Sequence, residues 1–151
     1  MDANQITDLY QSSDTRLKAA QLAVNQLRNN VFDEISDGSY YRDYGWWLGA
    51  LFYETHEENR LPVIEWIVQA LEDNPQFETV SYKDNRSSSF DGDLAWWYGR
   101  LWYRTDEASE NRITERIINL LENNPQFETV SYKDNRSSSF DGDLAWWKAR
   151  L

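Results

Sequence analysis

The sequence contains no cysteine, which excludes disulfide bonds and thiolate metal sites. Its single histidine, His56, has no second histidine or cysteine with which to form a metal site of the zinc type. No apolar run approaches the roughly 20 residues that span a bilayer. The first residues also lack the basic and apolar regions of a signal peptide. We therefore expect a cytoplasmic protein that does not enter a membrane.

Positive charge is scarce, because 15 basic residues stand against 26 acidic residues and the net charge is -11. Phosphate backbones are bound by clustered Lys and Arg, so this excess of acidic residues argues against direct binding of nucleic acid and of anionic membrane surfaces. It fits a basic protein partner that is attracted by electrostatic steering. Solubility alone is the competing explanation of the charge.

Aromatic residues, by contrast, are abundant, with 8 Trp, 9 Tyr and 6 Phe. Each aromatic side chain buries roughly 150–250 Å², so the chain can form a packed core, and we do not expect it to be disordered despite its charge.

An internal repeat organises the chain. The segment from Asn74 to Trp97 recurs letter for letter from Asn124 to Trp147, an offset of 50 residues. A diverged copy precedes them, in which VFDEIS at 31–36 matches QFETVS at 76–81. Repetition at a fixed period predicts that equivalent side chains occupy equivalent environments. We expect one domain, with an N-terminal extension at 1–14 followed by three repeats at about 15–54, 60–104 and 110–151.

Each repeat is predicted to begin with a helix. In the third copy Ile113, Ile117 and Leu121 recur at helical spacing and form one apolar stripe. Asn-Pro at 74–75 and 124–125 ends the helix, since Pro cannot continue it. These first helices are assigned to residues 15–29, 60–73 and 110–123.

A second helix is predicted near the end of each repeat. It is apolar around most of its circumference, so we expect it to be packed on two sides. Asp43, Asp93 and Asp143 stand at its start, where an N-capping side chain is favoured. These second helices are assigned to about 42–54, 92–104 and 142–151. Lys148 replaces Tyr98 in the last copy, which indicates a capping repeat.

A short extended segment lies between the two helices, where Phe, Thr, Val and Tyr favour a strand. Three such segments could pair into one small sheet, or each could form a hairpin or an irregular loop. The predicted fold class is mainly α with short β segments (α+β), a solenoid-like tandem array of three helix–strand–loop–helix repeats. The Trp/Gly/Tyr-containing helix followed by a helix ending at Asn-Pro resembles a tetratricopeptide hairpin. The period is 50 residues rather than about 34, so we carry no functional residues across.

The duplicated loop YKDNRSSSFDGD, at 82–93 and 132–143, is the strongest candidate for a binding element. Its oxygen side chains suit Ca²⁺, but their spacing does not match the calcium-loop motif, so a solvated loop with local turns is the simpler interpretation. A third interpretation is partner recognition. The candidate binding residues are Tyr82, Asp84, Arg86, Asp91, Tyr132, Asp134, Arg136 and Asp141.

Catalytic motifs are absent from the sequence. There is no nucleophile elbow and no glycine-rich phosphate loop. The position of His56 is occupied by Asp106 in the next copy, so the repeat does not require an imidazole side chain at this position. The Trp-Trp pairs, at 46–47, 96–97 and 146–147, suit a structural core, with interface hot spots as the alternative.

These observations predict a non-enzymatic interaction module without cofactor or metal. We expect an acidic repeat protein that docks or inhibits a basic partner, in one variant by imitating the charge of DNA. A carbohydrate- or calcium-binding module that uses the duplicated loop is the alternative.

Overall fold

The computed structural model describes residues 2–82, 90–133 and 139–151. In these residues the protein is mainly helical, with two small antiparallel sheets, so the α+β class is confirmed. The helices in chain order are α1 (Ala3–Tyr10), α2 (Arg16–Arg28), α3 (Tyr44–Glu54), α4 (Arg60–Asp73), α5 (Leu94–Arg104), α6 (Glu110–Asn123) and α7 (Leu144–Lys148). The strands are β1 (Val80–Tyr82), β2 (Phe90–Gly92), β3 (Val130–Tyr132) and β4 (Phe140–Gly142). Short 3₁₀ turns at Glu57–Asn59 and Glu107–Ser109 precede α4 and α6.

Aspartate side chains start the aromatic helices α3, α5 and α7, as the sequence predicts. The Oδ1 atoms of Asp43, Asp93 and Asp143 accept hydrogen bonds from the backbone N–H three residues later, at 2.9, 2.8 and 2.9 Å. Each cap satisfies one of the N–H groups that a helix start leaves without an intrahelical partner.

Asparagine side chains cover the ends of α4 and α6. The Nδ2 atom of Asn74 donates to the Ala70 carbonyl at 2.8 Å, and that of Asn124 donates to the Leu120 carbonyl at 2.9 Å. The following prolines prevent a further helical turn, so the two helices end where the sequence predicts.

Within the described ranges the extended segments form two separate hairpins and not a single sheet of three segments. Strand β1 pairs antiparallel with β2, and β3 pairs with β4 in the same register. In the first copy the shorter loop gives no strand in the described residues, and one backbone hydrogen bond, from Ile35 N–H to the Arg42 carbonyl at 3.0 Å, takes its place.

Helices that are adjacent in the chain pack against each other, from α1 with α2 through to α6 with α7. Each hairpin lies on the aromatic helix that precedes it: β1 contacts α3, and β3 contacts α5. Helix α1 lies in the N-terminal extension, for which the sequence pattern predicts no element. It contributes Ile6 and Tyr10 to the core. No helix in the described residues is long and apolar enough to cross a membrane.

Candidate interaction surface

Three tryptophans form the centre of the core and connect helices to extended segments. Trp47, Trp97 and Trp147 are fully buried. Their indole Nε1–H groups donate to the carbonyls of Ile35, Val80 and Val130 at 3.0, 3.1 and 3.2 Å. Trp97 and Trp147 each donate to a second carbonyl, of Gly92 and Gly142 respectively. The expectation that this member of each Trp-Trp pair is a core residue is confirmed.

The preceding tryptophans, Trp46, Trp96 and Trp146, are half-buried. The Trp96 ring stacks on Phe90, with a centroid distance of 5.8 Å and an interplanar angle of 7°, and Arg100 lies 3.5 Å from its centroid. Trp146 makes the same contacts with Phe140, at 5.6 Å, and Arg150, at 3.8 Å. Because these rings already stack on neighbouring side chains, the contacts give them a packing role.

Most of the described arginine side chains lie over aromatic rings. Every arginine that the structure describes, except Arg112, lies over an aromatic ring, where the π-face attracts the guanidinium. These arginines are Arg16, Arg28, Arg42, Arg60, Arg100, Arg104, Arg116 and Arg150. Burial lowers the pKa of Arg60, whose Nε donates to the carbonyls of Phe52 and Thr55. The positive charges thus belong largely to the packed structure.

Carboxylates, in contrast, extend into solvent at equivalent positions. Glu65 on α4 corresponds to Glu115 on α6, and Glu78 corresponds to Glu128, and all four are exposed. None of the four forms an ion pair with another residue in the described part of the chain. The outward charge at these positions is therefore negative and is repeated from one unit to the next.

Glu72 is the centre of a polar cluster between α4, α5 and α6. It accepts hydrogen bonds from the Tyr98 hydroxyl at 2.5 Å and from Arg116 at 2.8 Å. Burial, and then the hydrogen bond to the Glu72 carboxylate, raise the pKa of Tyr98. This cluster connects α4 to α5 and α6.

The same cluster lies in the wall of a cleft of about 830 Å³, a size that is typical of ligand sites. Its lining comes from the end of α4, the residues before β1, the first half of α5, α6 and the residues just after α6. Its lining is mixed. Leu71, Phe77, Leu94 and Phe127 provide apolar surface, while carboxylates, one guanidinium and several side-chain amides provide polar surface. Sequence reasoning did not identify this cleft.

The candidate residues of the duplicated loop fall into three groups: two tyrosines, two aspartates and four residues that the structure does not describe. Tyr82 and Tyr132 are buried, and they stack on Tyr53 and Tyr103 with centroid distances of 4.3 and 4.2 Å. The structure therefore gives both tyrosines a packing role, and their role in partner recognition stays a prediction.

Asp91 and Asp141 are exposed, and each accepts a hydrogen bond across its hairpin, from Ser81 and Ser131 respectively. The remaining four candidates, Asp84, Arg86, Asp134 and Arg136, lie outside the described residues.

The other chemical candidates lie apart from the cleft. His56 is exposed in the turn between α3 and α4. Among the described residues, no three His, Asp or Glu side chains are grouped closely enough to hold a metal ion. No family model, curated protein or solved structure matches this chain.

Proposed function

We propose that this chain is a non-enzymatic, solenoid-like array of three repeats that binds a basic protein through carboxylates repeated along its surface. The repeats would be 15–54, 60–104 and 110–151, and a cytoplasmic location suits such a protein. Matching hydrogen bonds of Trp97 and Trp147 support equivalent packing of the second and third units. A stack of helical units that each contact their neighbours offers the same contact geometry several times.

The asymmetry between cations and anions is the observation that carries this proposal. Most described arginines lie over aromatic rings, whereas Glu65, Glu78, Glu115 and Glu128 are exposed and have no ion pair with a described residue. A surface of this kind attracts a cationic partner and repels nucleic acid. Solubility would require only the net charge, and not the placement of these four carboxylates.

Binding of a basic peptide of defined sequence, measured by calorimetry at low and at high salt, tests the proposal. The test variant replaces the four repeated glutamates with glutamine. The matched control removes four other exposed carboxylates, through Asp8→Asn, Asp14→Asn, Glu58→Gln and Glu107→Gln. We expect binding that weakens with salt. We also expect the test variant to lose roughly tenfold in affinity, which corresponds to about 0.35 kcal/mol for each of the four exposed charges.

Equal losses in the two variants would show that only net charge matters, and the proposed role of the repeated carboxylates would then be wrong. Absence of binding at low salt would reject the basic partner altogether.

A further inference from the structure

We propose that the cleft between α4 and α6 binds a peptide segment in which an apolar side chain is flanked by Lys or Arg. This inference rests on the proposed basic partner and assigns the place where that partner is anchored. The cleft, at about 830 Å³, has room for a few residues of an extended peptide.

The apolar side chain of the peptide, which we call the anchor, can pack against apolar side chains of the cleft. Phe77, which precedes β1, and Phe127, which follows α6, are both half-buried and line the cleft together with Leu94. An aliphatic side chain placed among them would be removed from water, which favours binding.

Side-chain amides line the same cleft. Asn119, Asn123 and Gln126 are exposed lining residues, on α6 and just beyond it. An amide side chain presents a donor and an acceptor, as a peptide unit does, so a row of amides suits the backbone of an extended segment. These residues are therefore suited to hold a peptide backbone independently of its sequence.

The charges of the lining indicate which residues flank the anchor. The lining contains the carboxylates of Glu72, Glu78 and Asp93 but only one cation, Arg116. Glu72 is bound by Arg116 and by the Tyr98 hydroxyl, and Asp93 caps α5. Glu78 is left exposed and without an ion pair in the described residues, so it can receive a Lys or Arg of the peptide.

The duplicated sequence provides a matched control. Glu128 has the same neighbours in sequence as Glu78 and is also exposed, but it does not line the cleft. Glu78→Gln and Glu128→Gln therefore remove the same charge from the same local sequence, once inside the cleft and once outside it.

Two synthetic peptides, equal in length and in Lys and Arg content, test the inference. One carries Leu at its centre and the other carries Ser. Titrations followed by ¹⁵N NMR report the side-chain amides of Asn119 and Asn123. We expect the Leu peptide to bind more tightly and to shift these amide signals. Glu78→Gln should weaken its binding roughly two- to fivefold, as expected for loss of one exposed ion pair, and Glu128→Gln, which removes a carboxylate of the same acidic surface outside the cleft, should weaken it less.

The outcomes separate this inference from the proposed function. If the two peptides bind equally and the two variants behave alike, the acidic surface binds basic peptides but the cleft is not the anchor site. If neither peptide binds, or if the Asn119 and Asn123 amides do not respond, the cleft assignment is wrong whatever the calorimetric test of the repeated carboxylates gives.

Discussion

Gly99 on α5 lies against the backbone carbonyl of Ser131 on β3, so that a β-carbon at Gly99 would come within 2.2 Å of that oxygen. Gly49 on α3 has the same relation to Ser81, at 2.3 Å. Each aromatic helix therefore accepts the following hairpin in this position because it carries no side chain at the contact. The third copy has Ala149 at this position, where the residue is exposed.

We expect Gly99→Ala to lower the free energy of unfolding by about 1–3 kcal/mol, the usual range for overpacked interiors. Helix propensity alone would favour Ala over Gly by about 1 kcal/mol. The clash should dominate, because a backbone oxygen can move only with its hairpin. Urea unfolding followed by tryptophan fluorescence measures the difference.

Ala149→Gly is the control for this substitution, since Ala149 is exposed and has no hairpin to accommodate. Its effect should stay within about 0.5 kcal/mol, because Ala149 is exposed and lies just after the last residue of α7. A Gly99→Ala protein at least as stable as the wild type would contradict the close contact with Ser131.

Adjacent tryptophans in one pair are expected to respond differently to substitution. Trp97 is fully buried, and its Nε1–H donates to Val80 and Gly92, at 3.1 and 3.0 Å. Trp97→Phe removes the donor and leaves a small cavity, so we expect a loss of about 2–4 kcal/mol in unfolding free energy. Trp96→Phe retains the stacking with Phe90 at a half-buried site and should cost about half as much or less. Equal losses would argue against a special role of the buried indole.

Local signals in the sequence were sufficient for most helix boundaries. The apolar stripe and Asn-Pro place two first helices at 60–73 and 110–123, as observed. The second helices begin two residues later than predicted, because Gly92 and Gly142 belong to strands and the following aspartates are caps. Helix α1 was not predicted, although its capping box was present in the sequence. Asp2 and Gln5 exchange two hydrogen bonds of 2.8 Å at its start.

The cleft, in contrast, depends on how neighbouring units are placed. Phe77 and Phe127 stand at equivalent positions of the duplicated sequence, and both line the same cleft. A repeat pattern predicts that these two residues have similar local surroundings. It does not predict that both residues line one cleft.

Arginine stacking predicts that a change from Arg to Lys is harmful even though the charge is kept. Arg100 lies 3.5 Å from the Trp96 centroid and 4.8 Å from the Tyr132 centroid. A planar guanidinium stacks on these rings, and an ammonium group does so less well. We expect Arg100→Lys to lower the unfolding free energy by about 1 kcal/mol. Arg112→Lys, at an exposed position without a ring contact in the described residues, should leave it within about 0.5 kcal/mol. Similar effects of the two substitutions would contradict the stacking role.

Tyr98 should make stability depend on pH in the alkaline range. Burial and the Glu72 carboxylate raise its pKa above the ordinary value, which is about 10. The folded protein therefore keeps the phenol proton at a pH where the unfolded chain releases it. The resulting stabilisation is fully present below about pH 10 and is lost as the pH rises toward the folded-state pKa.

We expect Tyr98→Phe to cost about 1–3 kcal/mol at neutral pH, the value of a hydrogen bond to a charged group. Its unfolding free energy should then fall less steeply than that of the wild type above about pH 10. Burial also raises the pKa of Tyr10 and Tyr44, so some alkaline loss remains in both proteins, and only the difference in slope reports on Tyr98. Tyr41→Phe, at a site that is 69% exposed, should retain the wild-type slope. Urea unfolding at a series of alkaline pH values measures the unfolding free energy of all three proteins. If this free energy changes with pH by the same slope in Tyr98→Phe and in the wild type, the Tyr98 hydroxyl ionises as easily in the fold as in the unfolded chain.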